Sequence, residues 1–167
     1  MITLNKKQQK LKLQVSNTWK FGLFMLAKLP MGLIAGMRLR EITADKCVTS
    51  VPFKYLNKNP FQSIYFAVQS MAAELSTATP CLLAVAGHSP SVAFIIVDLK
   101  ATFHKKATGR VFFTCNDGKK AFEAVDRAIT SGEAQQVTFH TIGQMADGTV
   151  VSEFDFTWSF KQRQPKS

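Results

Sequence analysis

Between Ser91 and Lys106 the chain alternates: Ala93, Ile95, Val97, Leu99, Ala101 and Phe103 fall on one side of an extended strand, and Asp98, Lys100, Thr102 and His104 lie on the other toward its end. A period of two is what a strand with one buried face requires. The same period returns in RVFFTCN, after a turn at Thr108-Gly109, and in EAQQVTFHTIGQM and TVVSEFDFTWSFKQR, which the Ala146-Asp147-Gly148 turn joins in a tight hairpin. In the last segment Val150, Phe154, Phe156, Trp158 and Phe160 are expected inward, with Glu153, Asp155, Thr157, Ser159 and Lys161 outward. Upstream, RLREITADKCVTSVP places polar and β-favouring residues around Ala44-Asp45-Lys46 and predicts a strand or hairpin.

Elsewhere the period is helical. NDGKKAFEAVDRAITSG gathers Ala121, Phe122, Val125, Ala128 and Ile129 on one face, with Asn116 or Asp117 as cap and Gly132 as terminator. NKNPFQSIYFAVQSMAAELSTATP, residues 57–80, predicts a helix that is apolar nearly all round and has Asn59-Pro60 as N-cap and first residue. Such a helix must be buried on most sides, which an antiparallel sheet curling around it achieves. Near the start, Trp19, Leu23, Leu26 and Ala27 share a face and Lys20 and Lys28 another, an amphipathic basic helix ending near Pro30. It is read as packing on the domain, with membrane-surface contact as the alternative. The run Leu29–Met37, interrupted by Pro30, Gly32 and Gly36, is far shorter than the roughly 18 apolar residues of a membrane span.

The pattern therefore divides the chain into an N-terminal basic helical segment at 1–35, one α+β domain at 36–162 and a mobile polar tail at 163–167. Its 167 residues suit a single core, and 46 % apolar content with 14 Phe excludes disorder. The formal charge of +10 is lopsided, because residues 1–58 carry 11 Lys/Arg against Glu41 and Asp45 alone. That charge suits nucleic acid, an anionic membrane or a phosphate-bearing ligand. Helix-turn-helix spacing, zinc-finger Cys/His spacing and the aromatic strand motif of RNA binders are all missing, which argues against sequence-specific nucleic-acid recognition. Cys47, Cys81 and Cys115 are three widely spaced thiols in apolar stretches, read as reduced and buried in a cytoplasmic protein. His88, His104 and His140 share no ligand or triad spacing, so no metal is expected.

The order strand, long apolar helix, antiparallel strands resembles the hotdog-fold thioesterase superfamily over residues 36 to 162. In phenylacetyl-CoA-type members an Asn is followed six residues later by His-Gly-Gly, and an Asp or Glu stands nine residues after the His. This chain has Asn59, Tyr65-Phe66-Ala67 and Glu74 at those offsets, without the His-Gly-Gly. The resemblance implies a six-stranded sheet around a central helix, in a homodimer or dimer of dimers that binds an acyl thioester between subunits. It also implies Glu74 as general base or nucleophile, Asn59 as the group orienting carbonyl or water, and backbone N–H groups of Tyr65, Phe66 and Ala67 as the oxyanion site. Coenzyme A would enter as part of the substrate, not as a cofactor, with Lys54, Lys58, Lys105, Lys106 and Arg110 as candidates for its phosphates. The chemistry has its own logic: thioester hydrolysis develops an oxyanion and needs a base to activate water.

Plainer readings stand beside these. Asn59-Pro60 is also an ordinary helix cap, Tyr65 a core or interface aromatic, and Glu74 part of a polar stripe with Ser63, Ser70 and Thr77. A non-catalytic acyl- or lipid-binding or assembly module of the same fold is the functional alternative.

Overall fold

The computed structural model describes residues 2–163. Three short helices open the chain: α1 (Lys6–Ser16), α2 (Thr18–Lys28) and α3 (Pro30–Ala35). There follow β1 (Arg38–Ile42), β2 (Cys47–Val51), a 3-10 turn (Tyr55–Asn57) and α4 (Phe66–Val85). The remainder is β3 (Val92–Phe103), β4 (Val111–Cys115), α5 (Gly118–Ser131), β5 (Gln135–Met145) and β6 (Val150–Gln162). All strand pairs are antiparallel, in the order β1-β2-β4-β5-β6-β3. The six-stranded sheet packs on the central α4, with α5 beside it against β5 and β6, as a hotdog fold. The expected tail lies, apart from Arg163, outside the described residues.

The core follows the alternation closely in the middle of the sheet. Phe154, Phe156, Trp158 and Phe160 of β6 are buried, as are Phe113 and Phe139 of the neighbouring strands. Gly143 of β5 is required there, because a Cβ would come within 2.5 Å of the Phe113 ring. The cap and turn chemistry also holds: Gly132 ends α5 at φ 71° and Gly148 turns the last hairpin at φ 86°. All three cysteines are free and buried; burial pushes their thiols up, that of Cys115 to about 11, so they are inert.

Three expectations need correction. The central helix starts at Phe66, not near residue 57, because the Asn59 side chain caps its own turn: Oδ1 accepts from the N–H of Phe61 (3.0 Å) and of Ser63 (3.2 Å). The helix then continues through Pro80 to Val85. Proline removes one helical hydrogen bond there, and tertiary packing around the buried Thr79, Pro80 and Cys81 holds the helix together.

The second correction concerns β3. Its pairing with β6 slips between Ile96 and Asp98, so Val97 is a bulge. A bulge reverses the alternation. Phe94 stands opposite Phe160 and Ile96 opposite Trp158, whereas after the bulge Leu99, Ala101 and Phe103 stand opposite Phe156, Phe154 and Ser152. Ala93 and Ile95 are thus on the outer face, and most of the strand, Leu99 and Phe103 included, is exposed because α4 lies over β2, β4 and β5 rather than over this edge.

The third concerns α2. Its packed residues are Phe21 and Met25, while Trp19, Leu23 and Leu26, the face expected to pack, point away from the protein. The helix is apolar on two sides, so composition alone did not say which one docks.

Candidate active site

The start of α4 carries free backbone donors. Residues 57–65 fold back on themselves, and the Tyr65 N–H donates to the Asn57 carbonyl (2.7 Å), which withdraws Tyr65 from the expected oxyanion site. Phe66 and Ala67 begin the helix, so their N–H groups have no intrahelical acceptor and point along the positive end of the helix dipole. The loop is held by Asn57, a buried residue the sequence did not mark: its Nδ2 donates to the carbonyls of Ala35 and Pro52, both at 2.8 Å. Ser63 completes the clamp, its hydroxyl accepting from the Ala107 N–H at 2.9 Å. Gln69, buried one turn into α4, donates to the Ile64 carbonyl and accepts from the Ser152 hydroxyl. A glutamine in so apolar a helix was the one signal of this support.

Around these donors the surface is aromatic. Tyr65 and Phe66 meet edge to face at 4.8 Å, and Phe66 touches Phe103 in the same manner at 6.4 Å. Of these rings, Phe66 stands at the first glycine position of the His-Gly-Gly motif of the resembling enzymes and Tyr65 at its histidine position.

Glu74 is two turns farther along α4. It lines a mostly apolar cleft of about 260 Å³ together with Phe21, Phe24, Lys28 and Leu29 of the N-terminal segment, Leu75 and Leu82 of α4, and Phe94 of β3. Among the described residues nothing hydrogen-bonds or ion-pairs with its carboxylate. Desolvation therefore acts uncompensated and raises its pKa to about 7. The backbone beneath it is fixed: Trp158 Nε1 donates to Thr77 Oγ1 (3.0 Å), which donates to the Glu74 carbonyl (2.9 Å). Of the expected polar stripe, Ser63 is outside the helix and Thr77 is buried, so Glu74 does not belong to a solvent-facing row.

The five cation candidates divide. Lys105 and Lys106 precede Ala107, which hydrogen-bonds with residues 63 and 64, so they border the helix start together with Lys58, whose ammonium lies 5.1 Å from the Tyr55 ring centre. Lys54 is bound to the Ile34 carbonyl at 2.6 Å, and Arg110 lines a separate cleft with Arg38 and Arg40. His104 and His140 pair with Glu153 and Asp155 on the outer sheet face, away from the helix.

The family model for the domain of unknown function DUF4442 matches residues 17–160. The chain belongs to the DUF4442 family. No curated protein matches it significantly. Among solved structures this DUF4442 chain is similar to PA5026 of Pseudomonas aeruginosa, a protein of unknown function described as a probable thioesterase. There the TM-score is 0.74 at 13 % identity, over 96 % of this chain and 99 % of that one. A mutant of thioesterase PA1618 from the same organism aligns at TM-score 0.66 and 14 % identity, over 92 % and 99 % of the two chains. Thioesterase HI1161 of Haemophilus influenzae aligns at 0.64 and 11 %, over 87 % and 91 %. At such identities the likeness establishes the fold alone, the hotdog fold that this DUF4442 chain shares with them.

Proposed function

We propose that the protein binds an acyl thioester, such as an acyl-CoA, in a cleft completed by a second copy, and hydrolyses it. The observation that carries the reading is Glu74, one carboxylate without a partner on a mostly apolar cleft, with its pKa set near neutrality by burial. Such a base is stronger than a solvated carboxylate and is half ionised at physiological pH.

In the proposed reaction Glu74 takes a proton from water as the water oxygen bonds to the thioester carbon. The N–H groups of Phe66 and Ala67 hold the resulting oxyanion. Collapse breaks the C–S bond, and the protonated Glu74 returns the proton to the leaving thiolate. Asn59, whose oxygen is engaged in its own turn, retains only its amide N–H to orient the substrate.

One chain does not assemble this site. Phe66 and Glu74 are eight residues apart on one helix, about 12 Å along its axis, whereas attacking water and carbonyl oxygen lie within a few ångströms of each other. Donors from one subunit and the acid from another resolve the mismatch. The exposed β3 edge supports such pairing: 12 residues long and bearing Ile95, Val97 and Leu99, it is the kind of edge that a partner strand covers. Lys58, Lys105 and Lys106 at the helix start, and Lys54 and Arg110 farther off, are the cations offered to the coenzyme A phosphates. We place the protein in the cytoplasm, where its thiols stay reduced; among the described residues no helix is long and apolar enough to cross a membrane.

The test is turnover of an acyl-CoA panel by the wild type beside Glu74→Gln, Glu74→Ala and Asn59→Ala. Turnover untouched by both Glu74 substitutions would sink the assignment. An acyl ligand that co-purifies but is never hydrolysed would favour a non-catalytic acyl-binding module, a second reading that the Tyr65, Phe66 and Phe103 rings over the helix start support.

A further inference from the structure

Two surface features meet beside α2, one unused by the thioester reading and the other touched by it only through Arg110. The first is apolar. Trp19, Leu23 and Leu26 on the outward side of α2 are 86 %, 66 % and 61 % exposed, around a shallow groove of about 350 Å³ that also includes Thr18 and Arg38. A helix with apolar residues on both sides is normally covered on both.

The second is cationic. Arg38 and Arg40 of β1 and Arg110 before β4 line a cleft of about 430 Å³ that has no acidic residue in its wall. Arg40 Nε donates to Ser50 Oγ at 2.8 Å, and among the described residues none of the three guanidinium groups is in an ion pair. Burial, and after it the charges of Arg110 and Arg38, hold the Arg40 guanidinium below its ordinary pKa, so this cluster is repulsive and lacks a counter-ion. Thr18 and Arg38 line both the cleft and the apolar groove.

We propose that α2 and the arginine cleft form one docking surface for an anionic phospholipid bilayer. Trp19, Leu23 and Leu26 enter the boundary between headgroups and acyl chains, and Arg38, Arg40 and Arg110 take lipid phosphates. Each feature alone has other occupants; their adjacency selects an amphiphile with a phosphate next to an apolar body. A second copy on this face is disfavoured by charge, since the first 40 residues hold eight Lys/Arg and no acid, and two copies would oppose like charges. A soluble phosphate ester would leave the apolar side of α2 uncovered. The inference stands apart from the chemistry of Glu74, although α2 also walls that cleft through Phe21 and Phe24, so docking brings the cleft to the bilayer surface.

The experiment uses the full chain and vesicles of phosphatidylcholine with or without phosphatidylglycerol, followed by flotation and tryptophan emission. Trp158 is already buried, so a blue shift reports Trp19. Binding is expected only with phosphatidylglycerol and is expected to weaken with salt. Trp19→Glu with Leu23→Glu should abolish the shift and the flotation. Arg38→Gln, Arg40→Gln and Arg110→Gln together should lower vesicle affinity by about a hundredfold, at roughly a factor of five per cation. All five positions are exposed, and an unchanged thermal midpoint certifies the fold; should the Glu variant misfold, the arginine variant and the wild-type salt dependence decide. Equal binding to neutral vesicles, or none to either, overturns the proposal. So does a smaller oligomer on Trp19 and Leu23 substitution with vesicle binding intact, which assigns the face to a second copy. Weaker binding of free coenzyme A by the arginine variant, with vesicle binding intact, overturns it as well and assigns the cleft to a soluble phosphate.

Discussion

The two edges of the sheet are built on opposite plans. The β1 edge is five residues long, carries Arg38 and Arg40, and is covered in part by α1 and α2. The β3 edge is 12 residues long, apolar on both faces around the bulge at Val97, and open. Short, charged and covered is how a strand edge is kept from pairing, and long, apolar and bare is how one invites it. The same division runs through the interior. On the β4-β5-β6 side Phe113, Phe139, Phe154, Phe156 and Phe160 are sealed between sheet and helices. On the β3 side α4 exposes the aromatic cluster at its start and holds an unpaired Glu74. The closed half stabilises the fold, and the open half contains Phe66, Ala67 and Glu74, the groups of the proposed hydrolysis.

Four experiments can break this contrast. The largest effect is expected in the open half: Glu74→Gln should reduce kcat/KM on its best acyl thioester by roughly 10²–10⁴. The wild-type value should rise with pH through about 7 and level off above, as the base ionises. Flat pH dependence would remove Glu74 as the base. Next, Phe156→Ala in the closed half should cost roughly 3–5 kcal/mol of stability in denaturant titration, with no specific effect on KM in the protein that remains folded.

The third experiment reverses the sign. The Glu74 carboxyl binds its proton more tightly in the folded chain than in the unfolded one, so stability falls as pH rises from about 4.5 to about 7 and stays lower above. Glu74→Gln should therefore raise stability by about 3 kcal/mol at pH 8 and change it little at pH 4, measured by thermal melts at the two pH values. A variant less stable at pH 8 would show that the carboxylate has a partner and is structural. The smallest effect is on monomer stability at the β3 edge: Ile95→Lys with Leu99→Lys should shift sedimentation toward the monomer while altering monomer stability by less than about 0.5 kcal/mol per site. An unchanged oligomer would move the subunit contact elsewhere.

How much of this was readable in the residues differs by element. β6, α5 and the Asp147-Gly148 hairpin were readable because one face of each meets the core and turn chemistry is local. The start of α4 was misread, since Asn59-Pro60 makes a good helix cap in isolation, and only the return of the chain through Asn57 to Tyr65 shows that Asn59 serves a turn. Glu74 could be picked out by its offset from Asn59 and by its solitude in an apolar helix. Its cleft was invisible, because much of its wall comes from a helical segment about 50 residues upstream.

The alternation and the local turn signals alone thus determined the strands, the presence of the two long helices and an antiparallel sheet around the apolar one, while the choice of Glu74 came from its offset in the motif of the family the chain resembles. The strands and helices depend on contacts within a few residues or on one repeating face. Which side of α2 packs, where β3 reverses its faces and what surrounds Glu74 were decided by tertiary structure. An apolar residue states only that it prefers burial, and the packing of distant elements selects which of several equivalent faces obtains it.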